Sequence, residues 1–171
     1  DNLVEDLENL LLQININNIH IVGHSLGGMI GPSYAKKNQE KVLSLSLLST
    51  AAFRNINDRK KILDIIKKIE NEGLDTVLPS LINRWFTDKF IKNNKNLIDT
   101  RFHQVKDTSL KIFLNVFKIY ALTEMGPWLN QINVPCLIMT GKNDLGCNPD
   151  INKKIANALP NSHLEILDNL K

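Results

Sequence analysis

A serine set between glycines, where a strand-like run gives way to a helix-like one, constrains this chain more than any other feature. Gly23-His24-Ser25-Leu26-Gly27-Gly28 follows the apolar run Ile19-His20-Ile21-Val22 and precedes a helix-like segment from Met29 to Lys37. A turn that sharp forces the serine into a strained backbone conformation and lifts its Oγ above the sheet edge. Gly23 and Gly27 lack Cβ atoms, so the turn can close and neighbouring backbone can approach. The N–H of Leu26, at the helix start, points into the space before the hydroxyl. That arrangement suits a nucleophile and one half of an oxyanion hole. The bland alternative is a glycine-rich β–α turn whose serine only caps the helix.

The surrounding pattern supports an α/β fold. Leu3, Leu7, Leu10, Leu11 and Ile14 recur at helical spacing over residues 2–16, with Asp1 or Asn2 available as cap. Asn15 to Asn18 form a turn, and Ile19 to Val22 a short buried strand. A helix runs from the elbow to about Asn38, and Val42 to Leu48 is apolar enough for a parallel sheet. This α-β-α-β order is doubly wound, with right-handed crossovers. From Ala51 to Trp128 the pattern is helical, with stripes at Ile62–Ile69, Val77–Ile82 and Ile112–Ile119. Strand character returns at Cys136–Thr140, followed by the loop Gly141-Lys142-Asn143-Asp144. A helix over Pro149–Leu159, capped by Asn148, precedes a last strand, His163–Leu167.

Composition excludes several function classes. The chain has 171 residues, 43% of them hydrophobic, enough to build one core with an insert. Its net charge of +3, with no basic run interleaved with aromatics, argues against nucleic acid. No apolar stretch reaches membrane-spanning length, so no membrane partner is expected. The two cysteines, Cys136 and Cys147, make neither a disulfide framework nor a metal site. No signal-peptide pattern opens the chain, and the expected location is cytoplasmic. Residues 51–128 carry fourteen Lys and Arg against nine Asp and Glu, a net +5. That excess either steers an acidic substrate or is a solvated helical surface.

A serine needs a base, and the base needs a carboxylate to hold its tautomer. Sites in open α/β sheets gather at the carboxyl ends of strands. Ser25 and Asp144 each follow a strand there, whereas Asp150 belongs in the first turn of the next helix and serves its dipole. None of the four histidines suits the role of base. His20 is within a strand, His24 is inside the motif, His103 is in the helical insert, and His163 opens the last strand at its far end.

Ile21 to Ile30 resembles the nucleophile elbow of the α/β-hydrolase superfamily. Val134 to Asp144 resembles its acid-bearing strand and loop, and Leu159 to Leu167 the strand leading to its histidine. Arg84-Trp85-Phe86-Thr87 is similar to the cap of the 3-oxoadipate enol-lactonase-like branch. The resemblance implies a partial α/β-hydrolase fold: a parallel sheet with helices on both faces and a helical cap insert. Residues 1–50 would form the first part of the core, 51–128 the cap and 129–171 the second part of the core. It also implies an internal fragment, inactive by itself, with the catalytic histidine just beyond Lys171 and the second oxyanion donor before residue 1.

On that resemblance the full protein is a serine hydrolase of carboxylic esters or lactones, without metal or organic cofactor. Ser25 is its nucleophile, Asp144 its acid and Leu26 its oxyanion donor. His24, Trp85, Phe86 and Trp128 would line a pocket for a small-molecule ester or lactone, with Phe113 and Phe117 as further candidates. A C–C bond hydrolase, a cofactor-free haloperoxidase and a non-catalytic ligand-binding protein share the fold. Dehalogenase chemistry would want a carboxylate where Ser25 stands. Two departures from the family stand out. Pro32 inside the elbow helix predicts a kink or early distortion, and Gln39 occupies a position where proline is frequent.

Overall fold

Four strands form one parallel sheet in the order β1-β2-β3-β4: β1 Ile19–His24, β2 Val42–Leu48, β3 Cys136–Gly141 and β4 Ser162–Leu167. The computed structural model describes residues 2–171, so Asp1, one of the two expected helix caps, lies outside the described residues. Helix α1 covers Asn2–Gln13, α2 Gly27–Ala35, and five helices separate β2 from β3: α3 Ile56–Glu72, α4 Leu74–Trp85, α5 Asp88–Asn93, α6 Lys95–Asp107 and α7 Leu110–Leu122. Helix α8, Pro149–Ala158, lies between β3 and β4 and is capped as expected: the Ile151 N–H donates to Asn148 Oδ1 at 3.0 Å.

Each crossover advances one strand in the same direction, so right-handed connections place α2 and α8 on the same face of the sheet. On that face Leu45, Leu47 and Ile138 form one buried cluster with Val4 and Leu11 of α1, Met29 and Tyr34 of α2, and Ile155 of α8. Tyr34 donates to Glu8, tying α2 to α1; burial, with the Glu8 carboxylate beside it, raises the phenol well above its ordinary value. Of the two helical layers expected, the described residues build this one. Across the sheet the register aligns Val22, Ser46, Leu137 and His163, and Val22 is 68% exposed.

Pro32 does not break α2. The helix continues to Ala35, and the Lys36 N–H bonds Pro32 O at 2.9 Å. The carbonyl deprived of its donor belongs to Gly28, in the first turn, while Ser33 Oγ covers the next one, Met29 O, at 2.7 Å. Gln39 has a structural use of its own. Its Nε2 donates to Gln131 O at 3.0 Å and its Oε1 accepts from the Asn133 N–H at 2.9 Å, so it clamps the approach to β3.

The helices between β2 and β3 bury a second cluster around Ile69, Leu78, Leu81, Ile82, Val105 and Phe113. Both ends of this segment meet at one carboxylate. Glu124 accepts from the N–H groups of Phe53 at 2.7 Å, Arg54 at 3.1 Å and Gly126 at 2.8 Å, and from Arg59 Nη2 at 3.3 Å. Arg54 Nη2 donates to Thr123 O at 2.9 Å, and its guanidinium lies 4.4 Å over the Tyr120 ring. Burial alone would raise the Glu124 pKa, but the N–H groups of Gly126, Phe53 and Arg54, with Arg59, outweigh it and hold it below the ordinary 4.5.

Two outcomes follow for Glu124. Its folded pKa is depressed, so its contribution is complete above the unfolded value and fades as pH falls through the folded one. Thermal melts in acid should therefore show a loss of stability that Glu124→Gln lacks. At neutral pH that variant should be less stable by about 1.5–3 kcal/mol, the range for hydrogen bonds to a charged group.

Candidate active site

Because all four strands are parallel, the segments that leave them gather on one edge of the sheet: Ser25 after β1, Ser49-Thr50 after β2, Lys142 to Asp144 after β3 and Asp168 to Lys171 after β4. Ser25 has φ +53°, a left-handed conformation that side chains with a Cβ rarely adopt. Its surroundings dictate it. The Ser25 N–H donates to Leu48 O at 2.8 Å, and Thr50 Oγ1 donates to Ser25 O at 2.9 Å. The residue is pinned through both of its backbone polar groups, as such strain requires.

The glycines divide the work differently from the sequence expectation. A Cβ on Gly23 would overlap the Gly27 carbonyl and come within 2.7 Å of Gly28 N. A Cβ on Gly28 would lie 2.6 Å from Thr50 Cβ. Gly27, expected to be needed for closure, faces open space, with nothing within 4 Å of where its Cβ would be. The close approach therefore runs through Gly23 and Gly28. Leu26 has helical angles, φ −60° and ψ −37°, and accepts from Met29 N at 2.9 Å and Ile30 N at 3.0 Å. Its own N–H belongs to the opening turn, where no earlier helical carbonyl can accept it.

Asp144 is half-buried in the loop after β3. Its Oδ1 accepts from the N–H groups of Gly146 at 2.8 Å and Cys147 at 2.7 Å. Among the described residues Oδ2 takes no hydrogen bond, so one carboxylate oxygen is fixed and the other can accept. The segment leaving β4 crosses this loop: the Asn143 N–H donates to Leu170 O at 2.9 Å, and Lys142 N–H to Leu167 O at 2.9 Å. Lys171 Nζ then reaches the end of α4, at Asn83 O (2.7 Å) and Phe86 O (2.9 Å). Asp150 is exposed in the first turn of α8, 3.4 Å from Lys153 Nζ, which fits a helix-end role.

The remaining site candidates separate. His24 ends β1, exposed, beside Leu48. Phe86 stacks on Phe90 with centroids 5.3 Å apart, and Trp85 lies under Arg101 at 5.7 Å; both are partly buried against the helical cluster above the acid loop. Phe113 and Phe117 stack on each other at 4.7 Å within that same cluster. Trp128 is elsewhere. It packs on the core below Lys36, whose Nζ is 4.8 Å from its ring. Lys36 follows the last turn of α2, about 14 Å along the helix from the elbow at 1.5 Å per residue. Trp128 therefore belongs to the far end of the core and not to a pocket at Ser25.

Among the histidines, His20 bonds Ser44 Oγ at 2.7 Å and His163 bonds Glu165 at 2.7 Å, while His103 stands against Phe102 in α6. Surface pairs within the insert, such as Lys106–Asp75 at 3.0 Å and Lys118–Glu70 at 2.9 Å, match base with acid and leave its net basic excess in place. Cys147 is buried, and that burial pushes its thiol up to about 11 despite the Tyr120 hydroxyl bonded to it at 3.2 Å. A thiol so protonated is inert. Among the described residues no group of three or more His, Cys, Asp or Glu could hold a metal, and no helix is long and apolar enough to cross a membrane.

The sequence signature of the α/β hydrolase fold matches residues 1–99, more than half of the chain. The chain belongs to the α/β-hydrolase family. Against 3-oxoadipate enol-lactonase 1 of Acinetobacter baylyi it is 28% identical over 143 residues, covering 84% of this chain and 53% of that protein. Against the proline iminopeptidase of Lactobacillus delbrueckii subsp. bulgaricus it is 28% identical over 184 residues, covering 95% of this chain and 62% of the relative. The crystal structure of the enol-lactonase from Burkholderia xenovorans LB400 superposes with a TM-score of 0.90 at 21% identity, over 97% of this chain and 63% of that one. This α/β-hydrolase chain thus spans somewhat more than half the length of the relatives it matches. The likeness to the Burkholderia structure concerns the fold, and the curated relatives named here, an enol-lactonase and an iminopeptidase, differ in activity.

Two buried polar residues, one just past β2 and one in α8, escaped the sequence reading. Thr50 and Asn152 are both fully buried, and each bonds across the fold. The available signal was an asparagine in a helix interior, a position such residues do not favour.

Proposed function

We propose that the full-length protein is a serine hydrolase of carboxylic esters or lactones, with Ser25 as nucleophile. The observation that carries this reading is Ser25 at φ +53°, pinned at the start of α2 on the same sheet edge as Asp144. Ser25 Oγ attacks the substrate carbonyl as a histidine takes its proton. The Leu26 N–H donates to the oxyanion that forms. The leaving oxygen takes the proton back from the histidine, and water, deprotonated by the same base, releases the acid from Ser25. Asp144, its Oδ1 held by two N–H groups, turns Oδ2 to the imidazole and stabilises its cation.

The histidine would come from the segment that follows Lys171. Support for this is the crossing of Asn143 by Leu170, which brings that segment against the acid loop. Residues 51–128 act as the cap, with Trp85, Phe86 and His24 nearest the substrate and Trp128 left to the core. The name of the Acinetobacter relative makes a lactone the first substrate to try.

A fluorophosphonate probe should label the full-length protein on Ser25, with the adduct located by peptide mass spectrometry. Turnover of an enol-lactone and of simple aryl esters should then rank the two substrate classes. No labelling and no turnover of either would overturn the reading. Asp144→Asn should lower kcat by roughly 10⁴-fold, because the amide favours the wrong histidine tautomer.

A further inference from the structure

We propose that Asn152 is a positioning residue that couples the nucleophile elbow to the acid loop. This inference rests on the reading of Ser25 and Asp144 given above.

Asn152 lies in α8 and is 0% exposed. Its Nδ2 is 2.7 Å from Cys147 O, 3.1 Å from Asn148 O and 3.4 Å from Thr50 O. The amide can point only one way, since the opposite orientation would set Oδ1 against three carbonyl oxygens. The bond to Thr50 O joins residues 102 positions apart.

Each partner leads directly to the site. Thr50, also 0% exposed, donates through Oγ1 to Ser25 O at 2.9 Å. Cys147 donates its N–H to Asp144 Oδ1 at 2.7 Å. Its carbonyl is held a second time, by Thr140 Oγ1 at 2.7 Å. Ser25, Thr50, Asn152, Cys147 and Asp144 therefore form one hydrogen-bonded chain beneath the sheet edge. Asn152 is the link that spans β2 and α8, and no strand pairing makes that connection.

Stability alone is a weak reason for this residue. Asn152 Oδ1 is buried and has no partner among the described residues, and an orphaned acceptor is unfavourable. Asparagine is also a poor helix former. Leucine would fill similar space with neither penalty. What leucine would not do is fix the Cys147 peptide, and through it the Asp144 carboxylate, relative to the turn that carries Ser25.

The test uses full-length protein with two single variants, Asn152→Ala and Thr50→Val, and the double variant. Asn152→Ala should slow turnover and fluorophosphonate labelling by between about tenfold and a hundredfold, the size of effect that a small misplacement gives. KM should stay within about twofold, since no substrate contact is lost. The acid limb of the kcat/KM profile should move to lower pH, because a displaced Asp144 stabilises the imidazolium less. Thr50→Val keeps the shape of the side chain and removes only the bond to Ser25 O, so it tests the chain even if Asn152→Ala fails to fold. The double variant should lose no more than the worse single one, because both cut the same chain. Unchanged labelling and an unchanged pH profile in folded Asn152→Ala, unchanged labelling in Thr50→Val, or losses that multiply in the double variant would each overturn the inference alone. A wild-type protein that is not labelled at Ser25 would overturn the functional reading, and the inference with it.

Discussion

Ser25→Gly should give a protein that melts higher and has lost its reactivity. The residue there has φ +53°, and the left-handed region costs a side chain with a Cβ roughly 1–2 kcal/mol. Glycine removes that strain but adds freedom to the unfolded chain, worth about 0.5–1 kcal/mol in the other direction. The expected net gain is up to about 1.5 kcal/mol, or as much as ~3–6 °C in Tm. Ser25→Ala is the control. It loses the hydroxyl but keeps a Cβ at positive φ, so its Tm should stay near that of the wild type. Both variants should lose fluorophosphonate labelling, with turnover down by about 10⁶-fold, as when a hydrolase loses its nucleophile. Calorimetry on the three proteins separates the two effects. Equal melting of the glycine and alanine variants would show that the elbow stores no strain.

Gly23→Ala should be among the most damaging single substitutions in the chain. The new methyl would overlap the Gly27 carbonyl and sit 2.7 Å from Gly28 N. Both obstacles are backbone, so no rotamer change relieves them. Either the end of β1 or the start of α2 must move, and Ser25 lies between the two. We expect destabilisation of at least about 3 kcal/mol, at or above the upper end of ordinary overpacking, together with loss of labelling in whatever protein folds. Gly27→Ala makes the contrast. Nothing lies within 4 Å of its Cβ direction, and alanine in place of glycine favours a helix by about 0.5–1 kcal/mol. Its fold should be as stable as the wild type or more so. If the two variants melt alike, the tight contact at Gly23 is not what closes the turn.

The strands and the elbow could be read before any coordinates because their signals are local. The apolar run Val42–Leu48 coincides with β2, and capping chemistry alone marks the Asn148-Pro149 start of α8. The helical insert was legible as a class but not in its parts. Its middle helices, α5 and α6, have sparse apolar positions, with Ile98, Phe102 and Val105 facing the cluster and Leu97 left 59% exposed. The aromatic candidates show the limit of composition. Trp85 and Trp128 look equivalent in the sequence, yet one lies above the acid loop and the other beneath Lys36 at the opposite end of α2. Thr50 and Asn152 were out of reach for a different reason. Their partners are distant along the chain, and no periodicity encodes which buried carbonyl a side-chain amide will meet.

The meeting of both ends of the helical segment at Glu124 also bears on how such a protein can diversify. Phe53 and Gly126 are hydrogen-bonded to the same carboxylate, so to the sheet the intervening helices amount to a short bridge between adjacent strands. Lengthening or shortening what lies inside changes the loop-closure entropy only logarithmically. Those helices could therefore change in length and number while the sheet went on folding as before. The Glu124 carboxylate closes that bridge together with the Arg54 bond to Thr123 O, so either tie can hold the ends of a changed insert in place.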